Sequence, residues 1–332
     1  MCRFLIFKGK NPILLSNLLT KPAHSIINQS YDSRLRLDMV RPINGDGFGI
    51  SYYTHNDADT EEEGPCTFKA ITPAWNNLNL ERLAQKTKSD LVFAHVRAST
   101  YGVLSETNCH PFTYHNISFM HNGGIANFDK IKRKLISATD SECSFSLFLD
   151  TLDKMGVDPS KPEKEIGHEN LRKALLKTIE LINTWTKESD LSSKEPSLLN
   201  FAVTDGSSIV VSRYISSKTD EAASLHFSTG SNFIEYAPGQ FKMERLDRLQ
   251  DVIMIASEPL TFERGDWITV PTNSTLSVKI KQSSSLAESK GLMGSIPVGE
   301  IVDSELPPLE REGRSRHVLT QNPAKAQDVS AF

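Results

Sequence analysis

What this sequence is short of narrows the field first. It has four cysteines, Cys2, Cys66, Cys109 and Cys143, in 332 residues, widely separated and without a CxxC pair. A disulfide framework or a zinc knuckle is therefore not expected, and a reducing compartment is. No apolar run approaches the ~18 residues a membrane span needs. The first residues do not read as a secretion signal, because Arg3, Lys8 and Lys10 interrupt the apolar positions. We therefore expect a cytoplasmic protein with no membrane association. Lys and Arg total 37 against 41 Asp and Glu, a net charge of −4, with no basic stripe to attract nucleic acid. Gly45-Asp46-Gly47-Phe48-Gly49 lacks the spacing of a phosphate-cradling loop and no helical pattern comes after it. There is no internal repeat.

What remains is an ordinary globular composition, 38% hydrophobic and 23% charged. Cys2-Arg3-Phe4-Leu5-Ile6-Phe7 reads as a short buried strand. Further strands are predicted at Phe48–Tyr53, Cys66–Ala70, Asp90–Arg97 and Ile117–Met120. Residues 78–88 carry a helical pattern. Thr139-Asp140-Ser141-Glu142 is a capping box ahead of a helix with Phe145, Phe148, Leu149 and Leu152 on one face. A longer helix is predicted from Leu171 to Trp185. After it come β-rich runs at Leu199–Val203, Ser208–Tyr214, Ser224–Ser228 and Val252–Ala256, with one or two strands between Trp267 and Val278. Strands, two helices and strands again suggest an α+β protein whose sheets are covered by helices. One domain is expected over residues 2–280. Residues 281–332, polar and with Pro307-Pro308, read as a flexible tail, and Leu292, Met293 and Ile296 are candidate docking anchors within it.

The chemistry-bearing residues cluster at strand ends. Removal of Met1 would leave Cys2 with a thiol beside a free α-amine. Those groups ordinarily titrate near ~8.5 and ~8, so the amine can serve as base for its own thiol. Arg97 and the polar residues to Gly102 close one strand; His121-Asn122-Gly123-Gly124 closes another; Asp140 heads a helix. Each has a plainer alternative. Arg97 could be a surface ion-pair member, Asp140 a complement to the helix dipole, and Asn122-Gly123 a hairpin turn. His95, His110 and His121 could be imagined around a metal, although no ligand spacing supports it. Cys109 beside His110 is a rival nucleophile. Cys66 and Cys143 read as packed thiols.

Taken together, Cys2, His95-Val96-Arg97, Asn108-Cys109-His110-Pro111, His121-Asn122-Gly123 and Thr139-Asp140-Ser141-Glu142 stand in one order along the chain. That set resembles the class II glutamine amidotransferases. The resemblance implies an N-terminal nucleophile hydrolase with a four-layer αββα sandwich. It also implies Cys2, Asn122 and Gly123 as catalytic residues, Arg97, Thr100, Asp140 and His110 on the substrate side, and neither cofactor nor metal. In that picture His110 orders the substrate loop by hydrogen bonding. Pro22-Ala23-His24-Ser25, Asn44-Gly45-Asp46-Gly47-Phe48-Gly49, Thr72-Pro73-Ala74-Trp75-Asn76 and Ala256-Ser257-Glu258-Pro259-Leu260 are similar to a fungal branch that degrades glutathione. This implies a γ-glutamyl hydrolase acting on glutathione beside a larger peptidase-like partner subunit. The alternatives are a glutamine amidohydrolase supplying ammonia to a partner synthase, and a non-catalytic regulatory subunit. Ala98 and Tyr101 stand where synthase-feeding members carry Trp and His, so the lid over the glutamine site should differ. No synthase-type pattern comes after residue 280.

Overall fold

A computed structural model describes residues 2–33, 43–54, 64–99, 104–132, 139–161, 165–189, 195–246, 250–278 and 302–305. In chain order these form β1 (Arg3–Leu14), α1 (Ser16–Leu19), α2 (Ile26–Gln29), β2 (Phe48–Tyr53), β3 (Cys66–Ala70), α3 (Leu78–Ala84) and β4 (Lys88–Val96). Next come β5 (Phe112–Tyr114), β6 (Ile117–Gly124), α4 (Phe128–Ile131), α5 (Asp140–Lys154), α6 (His168–Ser189), β7 (Leu198–Thr204) and β8 (Ile209–Arg213). The chain continues through β9 (His226–Gly230), β10 (Asn232–Ala237), β11 (Gln240–Glu244), β12 (Val252–Ala256), β13 (Ile268–Thr269), β14 (Ser274–Val278) and β15 (Val302–Glu305).

Two large antiparallel sheets result, in the orders β13-β9-β12-β1-β4-β2-β3 and β15-β14-β8-β7-β6-β5. Alternation along β1 explains how they stack, since successive side chains leave a strand on opposite faces. Phe4 and Ile6 point between the sheets, where they meet Leu91, Phe93, Met120, Ala202, Val211 and Ile255. Leu5 and Phe7 point outward into a core with Leu18, Leu19, Ile26 and Leu80 from the short helices. On the far side, Phe145, Phe148 and Leu152 of α5 and Leu171, Leu175 and Ile179 of α6 cover Phe119, Phe201 and Val203. The layers therefore run helix, sheet, sheet, helix, as the αββα expectation requires. At roughly 1.5–3 kcal/mol for each large apolar side chain fully buried, three such cores hold the strand ends firmly in register.

Most predicted elements are present with shifted ends. The opening strand is 12 residues long, far beyond Phe7. Asn122-Gly123 lies inside β6 and is not a turn: Asn122 pairs with Asn200, and Gly123 with Leu199. A Cβ at Gly123 would overlap the Leu198 carbonyl, so the close approach of β7 demands glycine there. The β10–β11 hairpin and β5 were not anticipated. Of the tail, Val302–Glu305 pairs with β14 as an edge strand. Leu292, Met293 and Ile296 lie outside the described residues.

Candidate active site

The site is assembled where four strands end. β1 lies between β12 and β4, with Arg3 opposite Val96 and Leu5 opposite Ala256. This places Cys2 at the mouth of the first sheet. Arg97, Ala98 and Ser99, just past the end of β4, flank it on one side; Ser257 and Glu258, just past β12, flank it on the other. The second sheet contributes the end of β6, His121 to Gly124, and α5 begins beside it with Asp140.

Cys2 is partly exposed, and its Sγ accepts a hydrogen bond from Ala98 N–H at 3.4 Å. Burial pushes its thiol pKa up. The Ala98 bond, the positive amino terminus and Arg97 draw it back down, and the Asp140 carboxylate opposes them. An N–H donor favours thiolate over thiol, so Ala98 acts on the reactive form.

Arg97 is buried, donating from Nη2 to Ser99 Oγ at 3.2 Å. Its Nη1 is also buried and has no hydrogen-bond partner among the described residues. A guanidinium in that condition is an anion site awaiting its anion. The backbone that holds it is braced by the glycine-rich run. Arg97 N–H donates to Gly47 O at 2.9 Å, Asp46 N–H to Arg97 O at 3.2 Å, and Ser99 N–H to Asp46 Oδ2 at 2.7 Å. Gly47 has φ +108°, and a Cβ there would lie 2.8 Å from both Ala70 O and Cys109 Sγ. These glycines therefore let neighbouring segments approach closely, Gly47 against Ala70 and Cys109 and Gly49 against His110.

Asn122 is buried, and its Nδ2 donates to Ser257 Oγ at 3.4 Å. Asp140 Oδ2 accepts from Ile125 N–H at 3.2 Å, pinning the chain just beyond Gly124. The helix it heads is capped by Thr139, whose Oγ1 accepts from Glu142 N–H at 3.2 Å.

Beneath these groups lie three buried histidines. His121 donates from Nε2 to Leu198 O at 3.0 Å, which leaves Nδ1 to accept from Ser141 Oγ at 2.9 Å. His95 Nε2 donates to His121 O at 3.2 Å, and burial drives its pKa down to about 3. The His110 ring packs at a tilt against His95 and Phe112, with ring centroids 4.3 and 4.5 Å apart. Neither of its ring nitrogens has a partner among the described residues, and burial holds it well below 6.5. The sequence suggested hydrogen bonding for His110; among the described residues its contacts are instead these tilted ring contacts. The His95 and His110 rings lie against each other as neutral packing elements, and His121 lies against Phe201.

Thr100 and Tyr101 lie outside the described residues. Cys143 is buried as expected, but Cys66 is exposed on the edge strand β3 and is not a packed thiol. Sequence patterns alone did not reveal the support beneath Cys2. Arg3 Nε donates to Glu258 Oε1 at 2.7 Å, and Arg3 Nη1 donates to Asn44 Oδ1. Ser33 Oγ donates to the same carboxylate at 2.8 Å, and His24 Nε2 stands 3.7 Å from Glu258 Oε2. One signal could have found it: Ser257-Glu258 is a polar pair closing a wholly apolar strand.

The family model for "Glutamine amidotransferases class-II" matches residues 21–213. The chain belongs to the class II glutamine amidotransferases. As a member of that family it is 65% identical, over 95% of its length and 98% of the relative's, to the probable glutamine amidotransferase DUG3 of Saccharomyces cerevisiae. A gamma-glutamyl-hercynylcysteine sulfoxide hydrolase of Mycobacterium tuberculosis is 25% identical over 48% of the amidotransferase chain and 63% of its own. In structure, a glutamine aminotransferase class-II domain protein from Silicibacter pomeroyi superposes with a TM-score of 0.54 at 19% identity. That superposition covers 92% of this chain and 100% of the other. The αββα amidotransferase fold is thereby established. Among the described residues no helix is long and apolar enough to cross a membrane.

Proposed function

We propose that the chain hydrolyses γ-glutamyl amides, with Cys2 as nucleophile and glutathione as the preferred substrate. The observation that carries this is the convergence of Cys2, Arg97, Asn122 and Asp140 from separate elements, with Arg97 Nη1 buried and unpartnered among the described residues. A γ-glutamyl head group offers an α-carboxylate, an α-ammonium and a side-chain amide. Arg97 takes the carboxylate and Asp140 the ammonium. Removal of Met1 frees the Cys2 amine, which accepts the thiol proton while sulfur bonds to the amide carbon. Asn122 Nδ2 and the Gly123 N–H donate to the resulting oxyanion, a class of interaction that supplies a large share of catalysis in such reactions. Collapse breaks the C–N bond, and the departing amine takes the proton, leaving a γ-glutamyl thioester. Water, deprotonated by the same amine, attacks that thioester and releases glutamate with the thiol restored.

Head-group binding treats glutamine and glutathione alike, so the leaving group must separate them. The mycobacterial relative is named for removing a γ-glutamyl group from a cysteine derivative, the same linkage that joins glutamate to cysteine in glutathione. Ala98 in place of the bulkier tryptophan is consistent with room for a dipeptide leaving group. We further propose that a larger peptidase-like subunit covers the open side, excluding water and strengthening the electrostatics within. A second reading has support of its own. Glutamine–fructose-6-phosphate aminotransferase of Bartonella henselae is 34% identical over 25% of this chain and 15% of the relative, which favours an ammonia donor. Incubating the purified chain, alone and with whatever co-purifies, on glutathione and on glutamine separates the two. Cysteinylglycine and glutamate in equal amounts are expected; ammonia from glutamine, with no cysteinylglycine in either preparation, would establish the second reading instead.

A further inference from the structure

Ser257 carries a hydroxyl to which the proposed mechanism gives no role. It is the first polar residue after the apolar strand Val252–Ala256, and it is buried to 3% exposure. A buried hydroxyl is costly unless it is hydrogen-bonded, so its bonds indicate its work. Ser257 holds the backbone of Phe4 at both ends: its N–H donates to Phe4 O at 3.0 Å, and its Oγ accepts from Phe4 N–H at 3.0 Å. The same Oγ accepts from Asn122 Nδ2 at 3.4 Å. One oxygen thus joins the nucleophile's strand, two residues beyond Cys2, to the amide proposed to receive the oxyanion.

We infer that Ser257 is a positioning residue for the oxyanion hole, fixing the Asn122 amide relative to Cys2. This rests on the reading of Asn122 as oxyanion donor. The contact is that side chain's one described hydrogen bond, since Asn122 Oδ1 is buried without a partner among the described residues. Rotation about the final Asn torsion is broad and nearly two-fold, so an amide with no fixed neighbour spreads over many orientations. Ser257 occupies one Nδ2 hydrogen and leaves the other for the oxyanion. The developing negative charge selects the N–H end of the amide, and Ser257 sets where that end sits. Because Phe4 is bonded to the same oxygen, the distance from sulfur to donor is defined through a single atom.

The test is a set of kinetic variants. Ser257→Ala should lower kcat by about tenfold to a hundredfold, the scale of a misplaced group, with KM nearly unchanged. Ser257→Thr, which keeps the hydroxyl, should recover most of the loss. In an Asn122→Ala background, Ser257→Ala should cost nothing further, because the group it positions is gone. A full additional loss in the double variant would overturn the inference while leaving the oxyanion assignment intact. Wild-type turnover by Asn122→Ala alone would instead overturn the assignment, and the inference with it. If Ser257→Ala does not fold, as judged by its melting transition, Ser257→Cys preserves the volume with a poor acceptor and carries the same expectations.

Discussion

Two thiols lie close enough to Arg97 to feel its charge, and only one of them is accessible. Burial raises the pKa of both Cys2 and Cys109, and Arg97 draws both back down. Their surroundings differ. Cys109 is wholly buried, with its sulfur 3.6 Å from both Ala70 O and Ser105 O, either of which can accept its one S–H. Gly47, at φ +108° just before β2, packs against it so closely that even a methyl group there would collide. Cys2 is partly exposed at a strand end, with a backbone N–H aimed at its sulfur and the Asn122 amide tied through Ser257 Oγ to Phe4, two residues along its strand. A perturbed thiol next to an arginine is therefore not enough to identify a nucleophile. Access and nearby donors for developing charge make the difference.

That contrast can be broken by substitution. Cys2→Ala should abolish glutamate release altogether, measured by product quantification. Asn122→Ala should lower kcat by about 10²–10³, the usual cost of one lost oxyanion donor. Arg97→Lys should act mainly on KM, raising it about tenfold or more, because an ammonium cannot reproduce the planar fork onto a carboxylate. Cys109→Ala should change turnover least, within about twofold, and should show instead as a modest loss of thermal stability from the cavity it leaves. An inactive but folded Cys109→Ala enzyme would erase the distinction between the two thiols.

The histidines beneath the site sharpen the same contrast through pH. His95 and His110 are held neutral by burial, His95 with a pKa of about 3 against the ordinary 6.5. The unfolded chain therefore binds more protons than the folded one below pH 6.5. Stability is fully present above that value and declines as pH falls toward the folded-state pKa. Melting temperature should drop between pH 7 and pH 4, and His110→Phe, which keeps an aromatic ring at that position, should flatten that slope. An unchanged slope would mean that these rings do not govern the acid limb.

Much of this site was legible because its residues fall in fixed order at the ends of apolar runs. Cys2, Arg97, Asn122 and Asp140 each sit next to a pattern that periodicity detects, and the layers emerge from strands and helices counted along the chain. Less legible was whatever depends on contacts between distant segments. Asn122-Gly123 has the local chemistry of a turn, and only the approach of Leu198 keeps it in a strand. The glycine-rich run has the composition of a phosphate loop, and only its packing against Cys109 and His110 shows its purpose. Asn44, Ser257 and Glu258 fall in stretches that carry the resemblance, but their work as a support for the nucleophile, with Arg3, is visible only when β1, β12 and the 43–46 segment meet. The β10–β11 hairpin went unread although Gln240–Glu244 alternates strictly, because each strand is only five or six residues long and Asn232–Ala237 alternates poorly.

Everything proposed for the site turns on Cys2, freed of Met1, being the nucleophile toward γ-glutamyl carbonyls. Labelling the native protein with a diazoketone analogue of glutamine, then locating the adduct by peptide mass spectrometry, tests this most directly. One adduct per chain is expected, on an amino-terminal Cys2, with activity lost in proportion and protection by glutathione. An adduct on Cys109, or full activity in protein that retains Met1, would refute it.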